Sequence, residues 1–169
     1  MGKFIYILFF SGIFSVAELF LRNWGILFPL SGFFVFYCAV TFGNGFGFLC
    51  AVLCGTALDF TTGAEHPWSI ITLCAVIALA SFWIHKVESD SIMLNFLPGL
   101  AIPLLSFTGS MIFFSDHFFA ALSELFGGVL PSAAAGGVVL PLMIYLLDTL
   151  NPKLGLDLYT DAKLRRKPL

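Results

Sequence analysis

Long apolar runs separated by short polar breaks extend along the chain from Phe4 to Leu150. A helix needs about 17–25 mainly apolar residues to cross the roughly 30 Å hydrocarbon layer of a bilayer. By this measure the pattern predicts an all-α, polytopic membrane domain over residues 1–150, a compact bundle of six short transmembrane helices. The predicted spans cover about residues 4–21, 26–42, 45–60, 68–84, 92–114 and 129–147.

The division between the second and third spans depends on length. The chain carries no charged residue from Ile26 to Leu58, and one continuous helix over this stretch would extend about 50 Å, beyond the membrane. The Gly43-Asn44-Gly45 triplet is the strongest turn signal within it, because glycine and asparagine tolerate left-handed backbone angles. A five-span chain with an external N-terminus is the alternative.

The basic residues predict the orientation. With both termini in the cytoplasm, only Arg22 of the 8 Lys and Arg residues lies outside. The five-span alternative places the same number of basic residues in the cytoplasm, since Lys3 and Arg22 then exchange sides. Residues 151–169 are predicted to form a basic cytoplasmic tail, in which Asn151-Pro152 ends the last helix and the terminal cluster of Lys and Arg lies near anionic headgroups.

Composition narrows the functional classes. Hydrophobic residues make up 59% of the chain and charged residues only 11%, whereas a soluble surface usually needs about 25–35%. A water-soluble globule is therefore excluded, and the lipid bilayer is the expected surrounding. The net charge of −2 gives no basic face for a nucleic-acid backbone, so no nucleic-acid partner is expected.

No constellation of reactive side chains stands out. Catalysis needs converging acid, base or nucleophile groups, but His66, His85 and His117 fall in three separate loops or helix ends. A metal site of His66 and His117 with Glu65 and Asp116 is conceivable, yet the usual ligand spacing is missing. We therefore expect no enzyme activity and no catalytic, cofactor or metal site. The half-polar segment 115–128 predicts either a helix along the outer interface or an ordinary loop.

Small residues recur at every fourth position through the third predicted span. Such a seam lets helix backbones approach closely where lipid supplies no hydrophobic drive for association. We therefore predict a helix-packing surface, whose mate is either another helix of this chain or a partner protein. The seam consists of Gly43, Gly47, Ala51, Gly55, Asp59 and Gly63.

Three ionisable residues, Glu18, Arg22 and Asp59, approach the same outer boundary in the six-span topology. A charge at the membrane centre costs roughly 2.5–3.5 kcal/mol on insertion scales, so such groups usually face protein or water. Glu18 and Arg22 are also i,i+4 partners on one helix face. Our hypothesis is an outer polar cluster in which Arg22 compensates one or both carboxylates; the alternative is that each carboxylate reaches interfacial water. Asp148, at the predicted cytoplasmic end, is expected to be solvated.

The stretch Gly55-x-x-x-Asp59-Phe60-x-x-Gly63, between the third and fourth spans, resembles the signature of the rod shape-determining protein MreD family. The layout around it is also similar, with a span that ends near Arg22-Asn23-Trp24 and a last helix that reads Gly136-Gly137-Val138-Val139-Leu140-Pro141-Leu142 before a basic tail.

This resemblance implies a non-enzymatic adaptor in the bacterial inner membrane, within the machinery of cell-wall elongation. The implied partners are an MreC-like single-span protein, MreB filaments, RodA and a penicillin-binding transpeptidase. The partner's transmembrane helix would dock on the small-residue face, with Gly47, Gly55, Asp59 and Gly63 as the critical positions.

A second interpretation is a substrate-capture subunit of a vitamin-type transporter. Such components are similar in size and also use six short helices. An outward pocket lined by Trp24, Trp68, His66 and Asp59 would bind a small polar-aromatic molecule. Pro98 and Pro103 interrupt the fifth span, and broken helices favour transport.

Overall fold

The computed structural model describes residues 2–63, 66–86, 92–114 and 125–154, together with 156, 158, 159, 161 and 162. Within these ranges the chain forms helices and no strand. The six α-helices are α1 (Gly2–Asn23), α2 (Leu30–Thr41), α3 (Asn44–Thr62), α4 (Trp68–Lys86), α5 (Phe96–Phe114) and α6 (Leu130–Leu150). Short helical turns at Ile92–Asn95, Leu125–Val129 and Asn151–Leu154 flank α5 and α6. Residues 115–124, Glu65 and the end of the tail lie outside the described residues.

Four helices of the described chain are long and apolar enough to cross a membrane, and this confirms the prediction of a membrane protein. They are α1, α3, α4 and a segment comprising α6 with the turn before it, Gly127–Leu150. The second and fifth predicted spans correspond to shorter apolar helices, Leu30–Thr41 and Phe96–Phe107. The five-span alternative needs one helix across 26–58, whereas the chain leaves the helix at Phe42 and Gly43.

Helix α2 lies at the centre of the bundle. It begins at Leu30, later than the predicted span, and its 12 residues extend only about 18 Å at 1.5 Å per residue. Every residue from Ser31 to Thr41 is buried, because α2 packs against each of the other five helices. An apolar helix that faces protein on all sides need not match the thickness of the bilayer.

Helices α5 and α6 approach each other closely at a pair of glycines. A methyl group added at Gly99 of α5 would lie 2.5 Å from the carbonyl oxygen of Gly136 on α6. Only glycine on both helices allows this approach, as in other membrane helix pairs that associate through small residues. In contrast, α1 packs mainly on α2 and α3, so it lies at the periphery of the bundle.

Candidate functional site

Polar side chains concentrate at the two ends of the bundle. We call the end where α1 and α3 finish and α2 and α4 begin the outer end, following the topology predicted from the basic residues, and the opposite end the inner end. The outer end contains the predicted cluster, and the inner end contains a network that the sequence did not indicate.

Glu18 of α1 is buried at the outer end, with only 1% of its surface exposed. One carboxylate oxygen accepts a hydrogen bond from Arg22 Nη2 at 2.7 Å, and the other accepts the backbone N–H of Ser31 at 2.9 Å. Ser31 lies in the first turn of α2, where unpaired N–H groups favour a negative charge. Glu18 therefore holds α1 to the start of α2 and is neutralised by Arg22.

Asp59 caps a helix start in the same way, at the turn between α3 and α4. Its Oδ1 atom accepts the backbone N–H of Ser69 at 3.0 Å, in the first turn of α4. Its Oδ2 atom is buried and has no hydrogen-bond partner among the described residues. The ion pair of Arg22 is with Glu18, so the carboxylate of Asp59 is held by a helix start and not by the guanidinium in this structure.

A cavity of about 220 Å³ lies beside these caps. The side chains with polar atoms that line it are Glu18, Arg22, Trp68, Ser69, Thr72 and Ser106. Of the four residues predicted to line an outward pocket, only Trp68 lines this cavity. Trp24 and His66 are exposed at the surface, and Asp59 bonds to Ser69, which is a lining residue. Hydropathy cannot indicate such convergence, since the lining residues come from five different helices.

The small-residue seam of α3 is occupied by the chain itself. A Cβ atom at Gly47 would lie 2.8 Å from the Cβ of Ala39 on α2. At Gly55 it would lie 2.6 Å from Ile70 Cγ1 and 2.9 Å from the Ile70 backbone on α4. Ala51 is also fully buried. Intramolecular packing thus fills this face, and a partner helix cannot dock on it.

The two glycines at the ends of the seam serve a different purpose. Gly43 has a φ of 107° at the turn between α2 and α3, and Gly63 has a φ of 64° at the end of α3. The N–H of Gly63 donates to the carbonyl oxygens of Asp59 and Phe60, which closes the last turn of the helix. These positions require positive φ, where glycine carries no steric penalty.

The inner end holds a buried polar network around Asp148 of α6. Asp148 Oδ1 accepts a hydrogen bond from the hydroxyl of Tyr37 at 2.8 Å. Both of its carboxylate oxygens accept from the backbone N–H of Tyr159, at 3.1 and 3.2 Å. The amide of Asn151 donates to the Tyr37 hydroxyl at 2.6 Å. Asp148 itself is only partly buried, so the expected contact with solvent is combined with these hydrogen bonds from Tyr37 and Tyr159.

Tyr159 extends this network towards α4 and α5. Its hydroxyl donates to Asn95 Oδ1 at 2.8 Å, and the indole of Trp83 donates to the same oxygen at 3.1 Å. Burial, together with the charge of Asp148, raises the pKa of the Tyr159 phenol well above its usual value. The partners are 64 and 111 residues apart in the Tyr159–Asn95 and Tyr37–Asp148 pairs, which explains why no local pattern reveals them.

An apolar groove runs between α1 and α6 at the inner end. It consists of two joined concavities of about 540 and 620 Å³ that share Phe10 and Leu150 as lining residues. We call this feature the α1/α6 groove. Its exposed walls include Ile5 and Phe9 of α1 and Leu142 and Leu146 of α6.

Comparison of the chain with protein-family models, with curated proteins and with solved structures found no match. Within the described ranges, no group of three or more His, Cys, Asp and Glu side chains is placed to hold a metal ion.

Proposed function

We propose that this protein is a non-enzymatic adaptor of the bacterial cell-wall elongation machinery, located in the inner membrane with both termini in the cytoplasm. One observation carries the proposal: the carboxylates of Glu18, Asp59 and Asp148 and the guanidinium of Arg22 all bind the chain's own groups. Glu18 and Arg22 pair with each other, Asp59 holds the start of α4, and Asp148 holds Tyr37 and the tail. Charges committed to holding helices together favour a scaffold over a catalyst or a carrier.

The docking surface that we propose is the outward face of α1. Ile5, Phe9, Ile13, Val16, Phe20 and Trp24 are all exposed and follow one another at intervals of three or four residues. This spacing forms a single stripe along a helix. The stripe crosses the whole bilayer, since α1 has 22 residues and extends about 33 Å at 1.5 Å per residue.

The occupant that we propose for this stripe is the transmembrane helix of an MreC-like single-span protein. A helix satisfies its backbone hydrogen bonds internally, and its length matches a stripe that spans both leaflets. The adaptor would then connect this partner to MreB filaments, RodA and a penicillin-binding transpeptidase. In this proposal the small-residue seam of α3 packs the helices inside the adaptor, and the exposed stripe of α1 contacts the partner helix.

Cysteine crosslinking tests the docking surface. The test variant is Val16→Cys on α1 and the control is Ile71→Cys on α4. Both positions are apolar and exposed, with exposed fractions of 67% and 54% in the native chain. Both variants also carry Cys74→Ser, which removes the one native cysteine that is not buried. We expect a membrane-permeant crosslinker to join Val16→Cys to a co-expressed MreC-like protein at least five times more efficiently than Ile71→Cys. Equal yields from both positions would refute docking on α1.

The outer cavity favours a second candidate, the substrate-capture subunit of a small-molecule transporter. A cavity of about 220 Å³ with an Arg–Glu pair and Trp68 in its wall has space for a small polar group. The test is mass spectrometry of the protein purified in mild detergent. One vitamin-sized molecule per chain would favour the transporter, whereas co-purification of a single-span polypeptide with no such molecule favours the adaptor.

A further inference from the structure

The outer cavity has a buried apolar part and a partly exposed polar part. Leu58, Leu73 and Phe107 line it and are buried. Arg22 and Ser69 also line it and are partly exposed. Small-molecule sites in proteins commonly combine an apolar lining with a few polar groups that fix the orientation of the ligand. An occupant of this cavity would place an apolar body among the buried side chains and a polar group towards the outer end.

The charges around the outer cavity nearly cancel. Glu18 and Arg22 form an ion pair in its wall. Asp59 adds a negative charge through its bond to the lining residue Ser69, and the start of α4 carries a partial positive charge that offsets part of it. An anion in the cavity would lie near two carboxylates, and a cation would lie near a guanidinium. Because a buried charge is costly without an opposite charge beside it, the surroundings favour a neutral ligand.

The wall of the cavity retains capacity for hydrogen bonds. Arg22 donates to Glu18 through Nη2, while its Nε atom is buried and has no hydrogen-bond partner among the described residues. The buried hydroxyl of Ser106 also has none within those residues. Thr72 Oγ1 donates to carbonyl oxygens of its own helix at 3.0 and 3.1 Å, which leaves its lone pairs as acceptors. A matching ligand therefore carries both a carbonyl-type acceptor and an N–H or O–H donor.

The volume of the cavity limits the size of the ligand. An apolar protein cavity of about 150 Å³ binds one benzene molecule, and the outer cavity measures about 220 Å³. The additional space accommodates a substituent of a few atoms on one ring. Trp68 and Phe107 belong to the lining, and aromatic side chains pack favourably against another ring.

We propose that the outer cavity binds a neutral single-ring aromatic molecule that bears an amide-like group. The ring would lie among the apolar side chains, and the amide would lie towards Arg22 and Thr72. This inference goes beyond the adaptor function and does not require it. It names a ligand class for the cavity that the transporter candidate also uses, and binding of the ligand does not require transport.

Three probes of the same shape separate ligand charge from ligand size. At neutral pH benzamide is neutral, benzoate is an anion and benzamidinium is a cation, and all three share one ring and a planar substituent of equal size. The full chain is placed in lipid nanodiscs, and equilibrium binding of each tritiated probe is measured with empty nanodiscs as the background. We expect benzamide to bind at least tenfold more tightly than either ion. Equal or tighter binding of an ion, or no saturable binding of benzamide, would overturn the proposal.

A matched pair of threonines tests whether the bound probe lies in the cavity. Thr72 lines the cavity and Thr56 of α3 does not, although both hydroxyls donate to carbonyl oxygens of their own helix. We expect Thr72→Leu to lower the affinity for benzamide at least tenfold, because it fills the cavity and removes the hydroxyl. Thr56→Leu should leave the affinity within twofold.

A smaller change covers the case in which Thr72→Leu is not monodisperse. Thr72→Val removes the hydroxyl at nearly constant volume and should lower the affinity for benzamide at least threefold. An affinity equal to that of the native chain in the Thr72 variants would contradict binding in the cavity. Crosslinking from α1 is a separate measurement, so failure of the ligand assay and failure of the adaptor proposal are distinguishable.

Discussion

The ring of Tyr159 lies nearly parallel to that of Tyr37, with the ring centroids 6.0 Å apart and an angle of 14° between the planes. This stack joins the segment that follows the last helix to the most deeply buried helix of the bundle. Both residues also donate a hydrogen bond to Asp148, Tyr37 from its hydroxyl and Tyr159 from its backbone N–H. The inner end is thus closed by a residue that lies beyond the six helices in the chain.

Removal of the Tyr159 hydroxyl distinguishes the contribution of its hydrogen bond to stability from the contribution of the stacked ring. We expect Tyr159→Phe to lower the free energy of unfolding by about 1 kcal/mol, the usual net value of one hydrogen bond. Tyr159→Ala also removes the buried ring and should cost about 3–5 kcal/mol. Thermal unfolding in detergent measures both, with the exposed Tyr145→Phe as a control that should change little. Equal losses for the two Tyr159 variants would show that the ring contributes nothing.

Glu18 is expected to be the charged residue most sensitive to substitution at the outer end. Glu18→Ala leaves the buried Ser31 N–H and the Arg22 guanidinium without their acceptor, and loss of one partner of a buried ion pair costs about 3–5 kcal/mol. Glu18→Lys adds a second positive charge and should reduce accumulation of the protein in the membrane. The double variant Glu18→Ala/Arg22→Ala should recover some of the loss. No recovery would mean that Arg22 does not compensate Glu18.

Gly55 tests the packing of α3 on α4. A methyl group at this position would lie 2.6 Å from Ile70 Cγ1 and 2.9 Å from the Ile70 backbone, so we expect Gly55→Ala to cost about 1–3 kcal/mol through overpacking. Gly55→Leu should prevent accumulation of folded protein. The control is Gly12→Ala on α1, where nothing lies within 4 Å and where alanine should stabilise the helix by up to about 1 kcal/mol. A destabilisation at Gly12 as large as that at Gly55 would contradict this explanation.

Topology reporters test the orientation on which the names of the two ends depend. Fusions at the N-terminus and the C-terminus should both report a cytoplasmic location, because this arrangement leaves only Arg22 of the basic residues outside. A fusion after Gly63, between α3 and α4, should report the opposite side. Termini on opposite faces of the membrane would contradict the six-span arrangement and the shared outer position of Glu18 and Asp59.

Features that depend on neighbouring residues were predictable from the sequence. The turn at Gly43 and the contact of Glu18 with Arg22 both follow from short spacings. The burial of α2 was not predictable in this way. Hydropathy indicates that Val35 and Phe36 avoid water, but it does not indicate whether their neighbours are lipid or protein. The network around Asp148 was also missed, since its partners meet only after the whole chain has folded.

The short central helix has a consequence for how the protein is made. Twelve residues are too few to hold α2 across a bilayer alone, and α1 emerges from the ribosome before the helices that later enclose α2. Because α2 packs against the other five helices, we expect it to keep its depth in the membrane through these contacts. Its stable insertion should therefore depend on the helices that follow it, and truncation of the chain after α2 should leave that helix poorly inserted.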